Sequence, residues 1–229
     1  MSANLLAKVG LLNGLPASAQ EDLVAAARFR SLPKDMRIFD QGEPAERAHA
    51  LVSGALRISQ TGSDGGEFLI RFIGAGEMFG AATICTDQLY PADATALIDS
   101  VEASWDQAEL LALMKRHSDI ALNMLAIVGA RLGEAQERLR ELATQSADRR
   151  IARTILRLLH QAGRQEDAGF RIDFPLLRKD IADIAGTTLH TASRVLADWE
   201  RRGWLVSRNR HLILCSSDDV RRIAEGTIG

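Results

Sequence analysis

The chain has 229 residues, of which 46% are hydrophobic, 25% charged and 5% aromatic, as in a folded protein with one large domain or two small ones. This composition excludes disorder as the main state, and the sequence has no run of about 18 apolar residues. The N-terminus lacks the apolar core and cleavage site of a secretory signal, so we expect a cytoplasmic protein. Two cysteines, Cys85 and Cys215, cannot build a disulfide framework or a four-cysteine metal site.

The net charge of −2 hides an uneven distribution along the chain. Residues 1–150 contain 15 basic and 20 acidic side chains, a net charge of −5. Residues 151–229 contain 13 basic and 10 acidic side chains, a net charge of +3. The basic C-terminal third is consistent with a module that meets a polyanion, although a difference this small needs a motif to support it.

The N-terminal region is predicted to form a short helix followed by strands. Pro16–Arg28 has a proline near its start, acids in its early turns and apolar residues at helical spacing. Short segments rich in Val, Ile, Leu or Phe follow, separated by glycine turns: Met36–Phe39, Ala48–Ser53, Ala55–Gln60, Glu67–Ile73 and Ala94–Glu102. Strands at this spacing predict a small barrel or sandwich.

From Asp106 to about residue 145 the apolar pattern is helical. Charged residues flank a row of apolar residues that recur in alternating steps of four and three, which is the spacing of a coiled-coil seam. The seam consists of Ala121, Leu125, Val128, Leu132, Ala135, Leu139 and Leu142. We expect this helix to pair with the same helix of a second copy. The alternative is that the seam packs on the chain's own barrel.

The C-terminal third has the element order of a winged helix. A polar interruption at residues 144–148 predicts a hinge and a helix N-cap. After it come a helix, a short extended segment and two helices separated by Gly186. Two short strands around Arg208–Asn209 and a terminal helix from Ser216 complete the chain.

Residues 181–196 have the pattern of a helix-turn-helix. Such a motif needs a small residue facing the second helix, a glycine in the turn and one apolar face on the second helix. Ala185, Gly186, Val195 and Leu196 meet these needs, and Thr187 or Thr188 can cap the second helix. The residues predicted to contact DNA are Arg178, Lys179, Thr187, Thr188, Leu189, His190, Ser193 and Arg194.

These side chains have distinct expected roles. Arg194 suits a bidentate contact with guanine O6 and N7. Thr188, Ser193, Arg178 and Lys179 suit contacts with phosphates or base edges. The alternative is an amphipathic helical hairpin in a domain core, whose charged residues only face water.

These features together resemble a known family. The barrel with its GEMFG segment, the long helix, the polar hinge and the block RKDIADIAGTTLHTASRVLADWERRGWL look like the Crp/Fnr transcription regulators, related to the cyclic-AMP receptor protein and the fumarate-nitrate regulator. The resemblance covers nearly the whole chain. It implies a homodimer on a pseudo-palindromic operator with TTG-type half-sites, and RNA polymerase as a further partner.

The resemblance also implies an α+β architecture in three parts. Residues 1–116 form an effector-sensing β-barrel like that of cyclic-nucleotide-binding domains. Residues 117–146 form the dimerisation helix and hinge, with Leu125, Val128, Leu132, Ala135, Leu139 and Leu142 in the interface. Residues 147–229 form a winged helix-turn-helix that binds DNA.

Two departures from the family pattern concern the effector. Cyclic-AMP binders of the family carry an Arg-Ser pair in their phosphate cassette, whereas this chain has Tyr90-Pro91-Ala92-Asp93-Ala94 at the corresponding stretch. Oxygen sensors of the fumarate-nitrate type use an N-terminal cysteine cluster, and no cysteine precedes Cys85. We therefore expect neither cyclic AMP nor an iron-sulfur cluster.

The TTLHTASR helix, the MFGA segment and the Tyr-Pro pair resemble the nitrogen-oxide-responsive branch, in which haem is the suspected nitric-oxide sensor. A small apolar segment suits a planar apolar ligand better than an anion. The predicted effector pocket is Met78, Phe79, Gly80, Ala81, Tyr90, Pro91, Ala92 and Asp93. His49 and His117 are candidate axial ligands, although a single histidine in such a place is more often structural. The alternative is a barrel without a ligand, in a regulator that is constitutive or responds to another small molecule.

Two other classes of protein are less consistent with the sequence. An enzyme needs a nucleophile with its base or a metal cluster, and the five histidines form no HxH or HExxH motif. No CxxC motif occurs either. A ligand-binding module that acts on another protein would not need the winged helix. We therefore expect a DNA-binding regulator that is not an enzyme.

Overall fold

The structure is a computed structural model that describes residues 6–63, 65–81 and 89–227. Helices and strands occur in both of its compact units, Met1–Glu134 and Ala135–Gly229, so the predicted α+β class is confirmed. The boundary between the units lies inside the predicted dimerisation helix, whereas the sequence placed boundaries after residues 116 and 146. In the described part of the chain, no helix is both long enough and apolar enough to cross a membrane.

The first unit combines strands with helices before and after them. Its described helices are α1 (Ala17–Ala26), α2 (Gln107–Arg116) and the first part of α3 (Ser118–Thr144). Its described strands are β1 (Arg28–Leu32), β2 (Arg37–Phe39), β3 (Arg47–Ser53), β4 (Ala55–Thr61), β5 (Glu67–Gly74), β6 (Met78–Phe79), β7 (Asp93–Ala96) and β8 (Ser100–Asp106).

These strands form two antiparallel sheets with the orders β1-β8-β3-β6 and β2-β7-β4-β5. Side chains alternate between the two faces of a strand, and β3 shows the consequence. Ala48 and Ala50 belong to a core shared with the helices, whereas Leu51 belongs to the core between the sheets. Each sheet face therefore contributes to a packed layer.

The predicted strand Ala94–Glu102 is wrong, because the chain turns within it. β7 ends at Ala96 and β8 begins at Ser100, and the two strands belong to different sheets. The Asp99 carboxylate accepts a hydrogen bond from the Lys34 amide (2.9 Å), and the Ser100 hydroxyl donates to the Ile98 carbonyl (2.7 Å). The Asp99-Ser100 pair inside this segment is a turn signal that the strand prediction passed over. The prediction also missed β1 and β6.

The second unit begins with the end of α3. Its other described elements are α4 (Ala147–Ala162), β9 (Gly163–Glu166), β10 (Gly169–Ile172), α5 (Arg178–Ile184), α6 (Leu189–Arg201), β11 (Leu205–Arg208), β12 (His211–Leu214) and α7 (Ser217–Glu225). The strands form one sheet in the order β11-β12-β10-β9. The winged-helix order predicted from the sequence is confirmed, and β9 is an additional strand that the sequence analysis missed.

Helix α3 has two apolar faces. Ile120 and Met124 are buried in the core of the first unit, and Ile127 packs against that core. The seam residues lie on another side of the helix, where Leu125 is 67% and Leu132 59% exposed. Within the first unit, the seam residues Leu125, Val128 and Leu132 therefore do not pack on the barrel, which was the alternative left open by the sequence.

Candidate functional site

The helix-turn-helix is formed by α5, a turn at residues 185–188 and α6. Gly186 has φ +60°, a left-handed conformation that favours glycine, and a Cβ there would overlap the Leu142 side chain. The Thr188 hydroxyl accepts a hydrogen bond from the Thr191 amide at 3.1 Å and so caps α6. Arg150 of α4 donates to the carbonyls of Ala185 (2.8 Å) and Gly186 (3.1 Å). The sequence analysis identified the glycine and the cap but missed Arg150.

The two faces of α6 differ as the motif requires. Ala192, Val195, Leu196 and Trp199 are buried, whereas Leu189, His190 and Arg194 are exposed. Ser193 and Thr187 are half-buried beside that exposed face. Among the described residues, Arg194 has no hydrogen-bond or ion-pair partner. Its guanidinium is therefore available to a ligand outside the chain.

The two other predicted cations are held by acids of the same unit. Arg178 forms an ion pair with Glu200 (2.7 Å) and donates to the Ser193 carbonyl (3.3 Å). Lys179 forms an ion pair with Asp183 one turn later in α5 (2.7 Å). The structure thus separates Arg194, which projects outward, from Arg178 and Lys179, which make internal pairs.

The wing is the hairpin of β11 and β12. Its turn residues Asn209 (φ 51°) and Arg210 (φ 63°) are both left-handed, as in the tight turns favoured by hairpins. Arg208 and Arg210 are exposed, and neither forms an ion pair with any described residue. The sequence analysis placed the hairpin here but did not single out these arginines. The only sequence signal was two basic residues at the predicted turn.

The predicted effector pocket is part of an aromatic cluster in the first unit. Phe39 and Tyr90 stack with ring centroids 3.8 Å apart, and His49 lies 5.1 Å from Phe79. A Cβ on Gly80 would lie only 3.0 Å from the Tyr90 ring, so the side chains already fill this space. Met78 and Ala92 are buried and Pro91 is exposed. Residues 82–88, between Ala81 and Tyr90, lie outside the described part.

Asp93 does not face an open site. Its carboxylate accepts a hydrogen bond from the backbone amide of Gln41 (2.7 Å) and lies 3.7 Å from the Arg37 guanidinium. Only 7% of the side chain is exposed. Asp93 therefore holds the start of β7 in place and has its charge balanced inside the unit.

His49 belongs to a buried hydrogen-bond network. Its Nδ1 lies 3.0 Å from Glu102 and its Nε2 lies 3.1 Å from the Tyr90 hydroxyl. The hydroxyl donates to the Arg47 carbonyl (2.9 Å), and Arg30 donates to Glu102 (2.7 Å). Local sequence patterns could not predict this network, because its members come from separate strands.

The charge states of this network follow from its contacts. Burial raises the pKa of the Glu102 carboxyl, but the hydrogen bond and charge of His49 and the charge of Arg30 outweigh it, so the pKa lies below its usual 4.5. Burial raises the pKa of the Tyr90 phenol, which keeps its single hydrogen and donates it to Arg47. Both ring nitrogens of His49 are thus occupied by neighbouring side chains inside the unit, Nδ1 by Glu102 and Nε2 by Tyr90.

The two candidate axial ligands, His49 and His117, therefore do not fit that role. Besides His49, His117 is engaged, because its Nε2 lies 2.8 Å from Asp22. No group of three or more potential metal ligands occurs within the described ranges. Haem stays a hypothesis from the sequence that these contacts do not support.

Comparison with known proteins agrees with this arrangement. Residues 29–117 match the cyclic nucleotide-binding domain and residues 149–223 the Crp-like helix-turn-helix domain. The cyclic AMP receptor protein of Thermus thermophilus is 30% identical over 186 residues, which are 81% of this chain and 83% of that protein. The chain belongs to the Crp/Fnr family of transcription regulators. The predicted family resemblance is confirmed.

Other Crp/Fnr relatives cover most of the chain. The CRP-like cAMP-activated global transcriptional regulator of Mycobacterium tuberculosis is 26% identical over 96% of this chain and 98% of its own length. The structure of FixK2 from Bradyrhizobium japonicum has a TM-score of 0.74 at 26% identity, with 86% of this chain and 96% of FixK2 covered. The helix-turn-helix described above is thus the DNA-binding part of a Crp/Fnr protein.

A first prediction concerns Arg194. We expect Arg194→Ala to weaken binding to a specific duplex by about 1–3 kcal/mol and to change binding to random DNA little, because a base-edge contact carries sequence information. Arg210→Ala is the comparison, because Arg210 is exposed on the wing without an ion-pair partner among the described residues. We expect it to weaken binding to both duplexes and to lower the salt dependence by about one unit of slope. Fluorescence anisotropy at several salt concentrations measures the affinity for each duplex and its salt dependence. Equal losses for Arg194→Ala on the two duplexes would contradict direct readout.

A second prediction concerns Glu102. We expect Glu102→Gln to lower the free energy of unfolding by about 1.5–3 kcal/mol at pH 7, because it removes the charge of a buried carboxylate that accepts a hydrogen bond from Arg30. Since the folded-state pKa of Glu102 is lowered, its contribution is present above pH 4.5 and is lost as the pH falls through the folded-state value. In urea unfolding, the difference in the free energy of unfolding between Glu102→Gln and wild type should therefore become smaller below pH 4.5. The exposed Glu46, changed to Gln, is the control; a difference independent of pH would refute the role of the charge.

Proposed function

We propose that this protein is a homodimeric, sequence-specific transcription regulator with an effector-binding N-terminal unit. The observation that carries the proposal is the exposed face of α6, where Arg194 has no partner among the described residues and His190 lies one turn before it. Helices of this kind enter the major groove with their N-terminal residues at the base edges. RNA polymerase is the further partner expected of such a regulator.

Selection from a pool of random duplexes tests the proposal directly. Two copies related by a two-fold axis should enrich a pseudo-palindrome with TTG-type half-sites, their centres about 10–10.5 base pairs or a multiple of that apart. Failure of the wild-type protein to enrich any sequence would overturn the proposed function. Enrichment of a single unrepeated site would overturn the homodimer.

The seam of α3 supports the homodimer. Leu125, Val128, Leu132 and Leu139 are between 43% and 67% exposed, on a side of the helix away from the core of the first unit. An apolar row of this length and spacing is unfavourable in water and suits pairing with a second copy of the helix. The interface then repeats the same residues on both subunits.

Changing the seam should separate the subunits. We expect Leu132→Glu to dissociate the dimer and abolish specific DNA binding, because it places two carboxylates near each other in a poorly solvated interface. Ala126→Glu is the control, since residue 126 is exposed and lies about 120° around the helix from residue 132. Sedimentation velocity at micromolar concentration measures the association. A Leu132→Glu protein that stays dimeric would exclude the seam.

For the effector, we propose a small molecule other than cyclic AMP. Two relatives are named for cyclic AMP, but this chain has Pro91 and Ala92 where we expect the phosphate cassette, and these side chains offer no cation to a phosphate. The filled space between Phe39, Tyr90 and Gly80 favours a second candidate, a regulator that acts without an effector.

Titrations distinguish these possibilities. Cyclic AMP is expected to leave the affinity for the selected duplex unchanged, and a several-fold tighter complex would make it the effector. Haem is expected to give no Soret shift, because the two candidate axial ligands, His49 and His117, are engaged by side chains of their own unit. A Soret band that shifts, together with DNA affinity that changes on adding nitric oxide, would support the haem hypothesis instead.

A further inference from the structure

Helix α6 has one large apolar side chain on its exposed face. Leu189, the first residue of the helix, is 51% exposed, whereas Ala192, Val195 and Leu196 are buried on the other face. A single exposed leucine is common on protein surfaces. This one, however, lies at the end of the helix whose residues contact base edges in helix-turn-helix proteins. Its position therefore makes it a candidate for contact with a base.

The helical geometry places Leu189 at one edge of the exposed face. At about 100° per residue, Leu189 and Ser193 lie about 40° apart around the axis, as do His190 and Arg194. Leu189 and Arg194 lie about 140° apart around the axis and about 7.5 Å apart along it, which is about two base-pair steps. We therefore expect the two side chains to face different base pairs.

The chemistry of the major groove offers one partner to an apolar side chain. Guanine, adenine and cytosine are read there through hydrogen-bond donors and acceptors, whereas thymine also presents its C5 methyl group. A leucine against a polar base edge displaces water without replacing its hydrogen bonds, which is unfavourable. Against thymine, the leucine buries the methyl group and part of its own exposed surface. Leu189 thus combines an attraction for thymine with a penalty against the other bases.

We propose that Leu189 is a specificity-determining residue that recognises the C5 methyl group of one thymine in each half-site. This inference rests on the proposed function and names the base that one residue of α6 reads. The gain in affinity is confined to sites with thymine in register with Leu189, so the contact favours the specific site over random DNA. Because both subunits present the same residue, the contact occurs once in each half-site.

Deoxyuridine tests this contact, because it differs from deoxythymidine only in lacking the C5 methyl group. Each deoxythymidine of the selected duplex is replaced in turn, and the affinity is measured by fluorescence anisotropy. We expect one position per half-site at which the replacement weakens binding about fourfold, as for the loss of one buried methyl-sized group. Replacement in both half-sites should weaken binding about 16-fold. Wild-type binding that no replacement weakens overturns the contact.

Substitutions at position 189 show whether this residue makes the contact. Leu189→Ala should remove the sensitivity to deoxyuridine because its side chain is too short, and Leu189→Asn should remove it because its side chain is polar at a similar size. Leu189→Met, which is apolar and as long as leucine, should retain the sensitivity. A sensitivity that persists in Leu189→Ala assigns the methyl contact to another residue and refutes the proposal.

Two controls separate this contact from general docking of α6. Leu177→Ala removes a leucine of similar exposure (47%) just before α5 and should leave the ratio of the thymine and uracil affinities unchanged. Arg194→Ala should weaken binding but keep the same ratio, because the two side chains face different base pairs. Loss of the ratio in either control would contradict a contact specific to Leu189.

Failure of this inference is distinguishable from failure of the proposed function. A wild-type protein that selects no sequence contradicts the proposed function itself. A wild-type protein that selects a duplex but is insensitive to deoxyuridine at every position retains the proposed function, and only the role of Leu189 is lost.

Discussion

The geometry of the DNA-binding unit depends on the guanidinium of Arg150. It donates to the Gln145 carbonyl after the end of α3 (2.5 Å) and to the carbonyls of Ala185 and Gly186 in the helix-turn-helix. Carbonyls at helix ends have no partner within their own helix, so one side chain here satisfies acceptors from two such ends. The left-handed φ of Gly186 (+60°) favours glycine at the turn, and a Cβ there would also displace the Leu142 side chain.

A buried acid reinforces the same connection. Glu141, whose side chain is 3% exposed, accepts from Arg157 of α4 at 2.8 Å and lies 3.3 Å from Arg153. A buried carboxylate is tolerated only when it is paired and hydrogen-bonded, so the last turns of α3 are held against α4. The end of the long helix is thus built into the second unit. A change in the course of α3 near residue 141 would be transmitted to the turn that carries α6.

Local patterns predicted the elements well, and long-range pairing explains what they missed. The seam, the glycine turn and the Thr188 cap follow from spacing within about one or two helical turns, which a single sequence reveals. The division of Ala94–Glu102 is harder to predict: Asp99-Ser100 can signal a turn, but the assignment of β7 and β8 to different sheets depends on partners distant in sequence. The contacts His49–Glu102, Arg178–Glu200 and Arg150–Ala185 join residues 53, 22 and 35 positions apart. Charge and size alone did not identify these partners.

These contacts change the interpretation of the charge distribution along the chain. The net charge of +3 in residues 151–229 suggested a basic surface, yet Arg153, Arg157, Arg171 and Arg178 are paired with acids of the same unit. Such pairs contribute little to the field that attracts a polyanion, since each arginine is offset by a carboxylate within 4 Å. Arg194 on α6 and Arg208 and Arg210 on the wing are exposed without such an offset among the described residues. Under the proposed function, the attraction for DNA would come from these three arginines, whereas Arg153, Arg157, Arg171 and Arg178 hold the unit together through their ion pairs.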